Sequence, residues 1–401
     1  MTHEQQVWRV NYQRPIRYEI LNSPNLFHPH NTDLLFPDAR GSARRFVVVD
    51  ANVERFFGAE IRRYFLYHGV TAKIVSFPGG EENKTIEFYQ SLARELDAFP
   101  IHRRDEPILA IGGGVLTDVV GFLASTYRRS VPHIKVPTTL MGYVDASIGV
   151  KTGVNFNGRK NRLGSFEPPL RVLLDKAFLK TLPRRHLLNG VAEIIKLAVI
   201  KDARLFALLE NHGVQSVEAH FQNEMGGVIL DLAITGMLEE LEPNLFEDDL
   251  ARKVDFGHTF SYGLETRNET RLLHGEAVLL DIVFSSLLAQ TRGLLAAADL
   301  DRLFRLIARL GIPLDVSLLH PLELWESLEE RTYHRNGFQR VPLPHGIGGC
   351  VFVNDITLTE IQTAHRALLQ RMTTDPSAAL TVESAQDGAL LVHFLTTDEH
   401  R

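Results

Sequence analysis

The chain is 401 residues long, more than one ordinary hydrophobic core organises, so two domains are expected. Its 43 Lys and Arg against 49 Asp and Glu give a formal charge of −6, which leaves no broad cationic face and excludes nucleic acid as a main partner. A single cysteine, Cys350, permits no internal disulfide, the start "MTHEQQVWRV" has no apolar run behind basic residues, and no later stretch is apolar enough to span a membrane; a cytoplasmic protein without membrane association is expected.

Taken in chain order, "RRFVVVDANV" (residues 44–53) reads as a buried parallel strand with Asp50 and Asn52 at its carboxyl end. "AKIVSFPGGEENKT" repeats the idea: a strand, a Pro-Gly-Gly break and a polar turn leading to a helix near residues 87–96. "PILAIGGGVLTDVVGFLAS" supplies a third strand, a glycine loop and a helix, and "HIKVPTTL" a fourth strand. This alternation predicts an α/β fold whose N-terminal domain, residues 1–182, is Rossmann-like with a mostly parallel sheet and binds ligands at the strands' carboxyl ends. After "KTLP" helical periods dominate, as in "HLLNGVAEIIKLAVIKDARLFALLENHG", where Gly213 is expected to stop a helix. Strand signals return only at "CVFVND". Residues 183–401 are therefore expected to form a mainly α-helical second domain, with the active site in the cleft between the two and a loose tail over the last twenty residues.

Gly112, Gly113 and Gly114 follow a strand without the GxGxxG spacing, and alone they could be only a tight turn. Asp50 and Asn52 at a neighbouring strand end, with Asp118 one turn into the helix behind the glycines, favour a dinucleotide: a carboxylate for ribose hydroxyls and backbone amides for a pyrophosphate. "VPTTLMGYVDASIGVKTGVNFNGRKNRLGSF" (residues 136–166) crowds Thr138, Thr139, Asp145, Lys151, Asn155, Lys160, Asn161 and Arg162 into what is either a solvated loop or an anion site of fixed cations and amides. In "NGVAEIIK", Glu193 and Lys196 share a helix face, by itself an ordinary salt bridge. "DFGHTF" and "LLHGEAV" add His258 and His274. One Glu and two His leave open positions on a catalytic metal, although HExxH is absent and each histidine alone could be a satisfied core residue.

The motifs "DANV", "GGEENK", "GGGVLTD", "YRRS", "PTTLMGYVDASIGVKTGVN", "KNRLG", "NGVAEIIK", "FGHTF" and "LHGEAV", in this order over about residues 44–355, resemble the dehydroquinate synthase superfamily, the sugar phosphate cyclases. The resemblance implies that Asp50, Asn52, Glu81, Lys84, Gly113, Gly114, Asp118, Thr138, Thr139, Lys160, Phe178 and Thr181 bind NAD. It implies that Glu193, His258 and His274 bind Zn2+ or Co2+. Lys151, Asn161 and, across a homodimer interface, Arg129 of the neighbouring subunit would hold the substrate phosphate. Asp145 and Lys196 would contact substrate hydroxyls, and Asp281 joins the catalytic set.

Departures narrow the branch. Dehydroquinate synthases carry a Lys and an Arg where this chain has Met237 and Ala251, 21 and seven residues before His258. Tyr262 replaces a second His, and Asp281 stands where Gly is common. An uncharged, apolar wall at Met237 and Ala251 would disfavour a carboxylate substrate. The sequence is most similar to the sedoheptulose 7-phosphate cyclases, and among them to the 2-epi-5-epi-valiolone synthases. That branch implies transient oxidation by NAD, phosphate elimination, reduction, ring opening and intramolecular aldol closure. Desmethyl-4-deoxygadusol, 2-epi-valiolone and 3-dehydroquinate synthases rank next. An NAD-dependent polyol dehydrogenase shares the layout but needs no phosphate cage, and a sugar-phosphate sensor would not need all three metal ligands.

Overall fold

The computed structural model describes residues 7–36, 44–267 and 272–374. A six-stranded sheet comprises β1 (Glu19–Asn22), β2 (Arg44–Asp50), β3 (Thr71–Phe77), β4 (Ile108–Gly112), β5 (His133–Pro137) and β8 (Arg171–Leu174), in the order β1-β8-β5-β4-β2-β3. All its pairings are parallel. Between β5 and β8, β6 (Lys151–Phe156) and β7 (Arg159–Phe166) form a separate antiparallel hairpin. Helices α1 (Ala51–Tyr67), α2 (Ile86–Asp97) and α3 (Gly114–Thr126) supply crossovers.

The period-2 alternation of β2 divides its side chains between two cores. Val47 and Val49 pack with Ile61 and Tyr64 of α1, while Phe46 and Val48 pack with Leu92 of α2 and Leu116 of α3. β2 stops at Asp50, whose carboxylate accepts the Asn52 amide at 2.8 Å and caps α1. Asn52 thus lies in the first helical turn rather than at a strand end. From β2 the chain moves outward to β3 and then returns to the opposite side of β2 as β4. That reversal opens a crevice beyond the carboxyl ends of β2 and β4. Residues 136–166 are not a solvated loop: they form the end of β5, a π-helical turn at Gly142–Ala146 and the β6–β7 hairpin.

The remaining chain is mainly helical: α4 (Arg184–Ile200), α5 (Ala203–Glu218), α6 (Glu224–Leu241), α7 (Ser261–Arg267), α8 (His274–Thr291), α9 (Ala297–Leu310), α10 (Pro321–His334) and α11 (Leu358–Thr374). A two-stranded pair, β9 (Val341–Pro344) and β10 (Cys350–Val353), adds one strand that the sequence did not announce. α4 and α8 are buried along nearly their whole lengths. Asp202, accepting the amides of Arg204 and Leu205, starts α5 and separates it from α4. Gly213, expected as a helix stop, is instead buried inside α5, because the stronger signal in that run is the Asp202 cap. The helical core also takes in Leu140, Tyr143, Val144 and Ile148 from the segment after β5. No helix among the described residues is long and apolar enough to cross a membrane. The expected tail falls outside the described residues.

Candidate active site

α4 presents Glu193 and Lys196 one turn apart, both essentially removed from solvent. His258 lies in the segment before α7, and His274 is the first residue of α8. The start of α8 is docked on α4: Asn189 Oδ1 accepts the Gly275 amide at 2.6 Å, and Glu276, paired with Arg185, accepts the Leu273 amide at 2.8 Å. A Cβ at residue 275 would lie 2.0 Å from the Asn189 carbonyl oxygen, so glycine alone permits this approach.

The result is one cluster. His258 Nε2 and His274 Nε2 stand 3.6 and 3.4 Å from Glu193 Oε1, and one donor atom from each residue lies within 4.8 Å of the others. Ligands about 2.1 Å from a tetrahedral ion sit about 3.4 Å apart, so this spacing suits a metal. Neither Glu193 oxygen accepts a well-formed hydrogen bond within the protein, although Lys196 forms an ion pair with the carboxylate. A fully buried carboxylate in that position calls for further positive charge. His258 Nδ1 faces the Phe256 carbonyl at 3.1 Å and His274 Nδ1 faces Glu265 at 2.9 Å, leaving both Nε2 atoms turned to Glu193. Burial and Lys196 push His258 down to about 3, which keeps its imidazole neutral. Burial disfavours the charged form of His274 too, but Glu265 and Glu193 outweigh it and raise the group to about 10. Two carboxylates thus make this spot attractive to a cation. Burial also opposes charge on Lys196, yet Glu193 and Asp145 keep it protonated. Its ammonium lies 3.9 Å from Asp145. Asp145 itself is raised, by burial first and by Glu193 second.

The nucleotide side is built at the carboxyl ends of β2, β4 and β5. Gly113 caps α3, and Gly114 opens it. A Cβ on either would come within 3.0 Å of Thr139 or Ala146, so the slot stays narrow and backbone-lined, as a pyrophosphate at a helix start requires. The Thr138 amide bonds the Gly112 carbonyl, and Thr139 Oγ1 accepts the Gly142 amide. Lys84 is buried and donates to Asp118 at 2.7 Å and to Asn161 at 2.6 Å. Burial works against its charge, but Asp118 and Glu81 hold it protonated. Glu81 accepts from Asn155 at 2.9 Å. These residues fit a dinucleotide running along the crevice.

Other expected residues are placed differently. The Phe178 ring is buried against Phe27 and Phe57, so its side chain belongs to the core and not to the crevice, and Thr181 Oγ1 donates to the Phe178 carbonyl. Lys160 pairs with Glu265 at 3.0 Å, beside the metal cluster. Asp281 is wholly buried. It accepts the Phe260 and Ser261 amides at 2.5 and 3.0 Å and the Ser285 hydroxyl at 2.8 Å, so it organises the segment after His258 instead of facing the cleft. Lys151 is exposed and paired with Glu247 at 2.7 Å. The Arg129 side chain has no ion pair or hydrogen bond among the described residues, and Arg128, Arg129 and Ser130 all have positive φ. That turn is held in an uncommon conformation on the surface.

Near the cluster, sequence reading missed a charged network and Glu265. Arg252 pairs with Glu247 and Asp255, and Arg335 reaches Asp255 at 3.1 Å. Burial would raise Asp255, but Arg252 and Arg335 hold it well below the usual carboxylate range. Met237 is packed in the core, and the wall near Ala251 is not uncharged as expected: its cations are matched by carboxylates. Glu265, seven residues after His258 on the adjacent helix, offered a signal only as a second carboxylate close to the histidines.

A Glu-His-His cluster whose glutamate is buried and whose histidines open toward solvent, beside a Rossmann-like crevice, defines a metal- and dinucleotide-dependent class, and the comparisons narrow it. The model for the 3-dehydroquinate synthase N-terminal region matches residues 74–189 and that for the C-terminal region residues 190–332; the chain belongs to the dehydroquinate synthase family. Within that family it is 49% identical over 367 residues to a 2-epi-5-epi-valiolone synthase of Streptomyces albus, covering 90% of each chain. It is also 49% identical over 371 residues to one of an Actinoplanes species, covering 90% of this chain and 93% of that one. A solved 2-epi-5-epi-valiolone synthase of Streptomyces hygroscopicus subsp. jinggangensis, with NAD+ and Zn2+ bound, superposes with a TM-score of 0.85 at 44% identity, covering 91% of this chain and 100% of that one.

Proposed function

We propose that the chain is a cytoplasmic, homodimeric sedoheptulose 7-phosphate cyclase that forms 2-epi-5-epi-valiolone and releases phosphate. In this reading residues 1–182 bind NAD and residues 183–401 carry Zn2+ or Co2+ and most of the substrate site. The observation that carries it is the charge balance beside His258. Arg252 and Arg335 are held by Glu247 and Asp255, so a substrate carboxylate would meet acidic neighbours and would have to draw its counter-ion from those pairs or from Arg331, whose Nε donates to the His258 carbonyl. A neutral hydroxymethyl group meets no such penalty.

Glu193, His258 and His274 would hold the metal, while Asp50, Glu81, Asp118 and the Gly113–Thr139 slot would hold NAD. When bound, these groups supply Lewis acidity toward substrate oxygens and a reversible hydride acceptor at C5. The chain's own residues do the rest. Lys196, kept protonated by Glu193 and Asp145, donates to a substrate hydroxyl. Asp145, raised by its burial, is suited to pass a hydroxyl proton back and forth. Lys151 orients the phosphate by exchanging Glu247 for it, Asn161 offers its Nδ2 donor while its Oδ1 keeps Lys84, and Arg129 of the neighbouring subunit completes the cage. Oxidation at C5 acidifies C6, a phosphate oxygen takes the C6 proton, and the C7–O bond breaks with its electron pair leaving on phosphate. After hydride returns and the ring opens, the enol carbon adds to the C2 ketone, a step favoured by holding both ends in one cleft.

The test compares phosphate release from sedoheptulose 7-phosphate and from the carboxylate-bearing heptulosonate phosphate. A kcat/KM ratio of at least about a hundredfold, roughly 2.7 kcal/mol, is expected in favour of the neutral substrate. Equal rates would remove the assignment to this branch.

A further inference from the structure

Two neighbouring residues of the β6–β7 hairpin hold opposite sides of the site. Lys160 Nζ lies 3.0 Å from Glu265 Oε2, and Glu265 Oε1 lies 2.9 Å from His274 Nδ1. The Asn161 Oδ1 accepts at 2.6 Å from Lys84, whose ammonium also binds Asp118 at 2.7 Å. In a regular strand, adjacent side chains point to opposite faces. Here Asn161 has φ +53°, and the pairing register shifts between Val154 and Phe156, so the strand is re-aimed locally. Asn155 fixes the deformation, its Oδ1 accepting the Asn161 amide at 2.9 Å and its Nδ2 reaching Glu81. An uncommon backbone conformation held by this many partners is a device rather than an accident of the turn.

We propose that Lys160, Asn161 and Glu265 couple the nucleotide crevice to the metal cluster, so that NAD and the divalent ion bind cooperatively. Glu265 is a positioning residue: it accepts from His274 Nδ1 and thereby aims Nε2 at Glu193, the arrangement by which an outer carboxylate orients a metal-binding imidazole. Lys160 and Glu265 are both largely buried, with side-chain exposures of 13% and 9%, so the pair is weakly screened. Asn161 reports the position of Lys84 and Asp118. A nucleotide that settles against those two fixes the hairpin, and a fixed hairpin holds Glu265 and His274 in ligating geometry. Linkage makes the effect reciprocal: the factor by which NAD tightens metal binding equals the factor by which metal tightens NAD.

The inference rests on the metal and NAD sites proposed above, and its test separates the two. Co2+ affinity of the full chain is measured by competition with a chromophoric chelator, with and without saturating NAD, and the visible spectrum of bound Co2+ is recorded. NAD is expected to tighten Co2+ in the wild type by about tenfold. Lys160→Met and Asn161→Ala should each reduce that factor to below about twofold, while Lys160→Arg, which keeps the ion pair, should retain most of it. Glu265→Gln should weaken Co2+ without NAD and alter the spectrum, a change that loss of packing alone would not produce. Equal Co2+ affinity with and without NAD in the wild type would overturn the proposal, as would undiminished coupling in Lys160→Met. If instead His274→Ala bound Co2+ as the wild type does, the metal site itself would be wrongly assigned.

Discussion

Glu193 and Lys196 illustrate why one residue can serve both stability and chemistry. Each ion is buried, and removing the carboxylate alone would leave the ammonium with only Asp145, 3.9 Å away, at a cost of up to about 3–5 kcal/mol. Glu193→Ala should therefore lower both metal content and folding stability. His258→Ala and His274→Ala should lower metal content and abolish phosphate release with a smaller loss of stability, as read by elemental analysis and denaturant unfolding. Pairing Glu193→Gln with Lys196→Met should restore stability without restoring the metal. Full metal content in any of these proteins would remove that residue from the cluster. At this scale the sequence was informative where a residue type has few uses: a Glu and two Gly-flanked His could be picked out as ligands. It was silent where the function is relational. Glu265 is an unremarked helical glutamate until the fold sets it against His274, and Asp255 gains its meaning only from Arg252 and Arg335, the latter 80 residues away.

The segment from His258 into α7 shows how an element is set by a distant side chain. The Asp281 carboxylate, projecting from α8, accepts successive amides at the start of α7, and burial raises its pKa despite those bonds. The sequence reading groups Asp281 with the catalytic residues at a position where Gly is common. In the fold it supplies acceptors for amides that a short helix leaves unsatisfied. Asp281→Ala should cost about 2–4 kcal/mol by leaving buried donors unpaired, and should broaden the Co2+ spectrum as His258 loses its fixed position. Asp281→Asn, which keeps an acceptor, should recover part of both. An unchanged unfolding midpoint in Asp281→Ala would show that the clamp carries no weight. Strands β2 to β5 were legible because buried β-branched runs ending in polar residues have few alternatives. The π-helical turn and the hairpin were not, since polar residues at 138–162 look like a loop until their amide and ion-pair partners are known.

For the whole molecule, the helical core that contains α4 takes in Val172 and Leu174 of β8 and Leu140, Tyr143 and Val144 after β5, while Leu173 of β8 packs in a sheet core, so α4 and its metal cluster are joined to the sheet through β8 and the segment after β5. Arg129 is held on the surface in a turn of positive φ and reaches no site residue of its own chain among the described contacts. If it acts in trans, mixing inactive Arg129→Ala with inactive His258→Ala should restore partial activity, because a hybrid dimer contains one site free of both changes. Subunit exchange shown by mass without any return of activity would exclude the shared site. The central claim is the reaction itself, and product analysis tests it most directly. Incubation of the purified protein with sedoheptulose 7-phosphate, catalytic NAD and Zn2+ should yield, by NMR and mass spectrometry, one 2-epi-5-epi-valiolone per phosphate released, with no accumulation of reduced nicotinamide. Stoichiometric reduction of NAD, or phosphate release without a cyclised product, would contradict it.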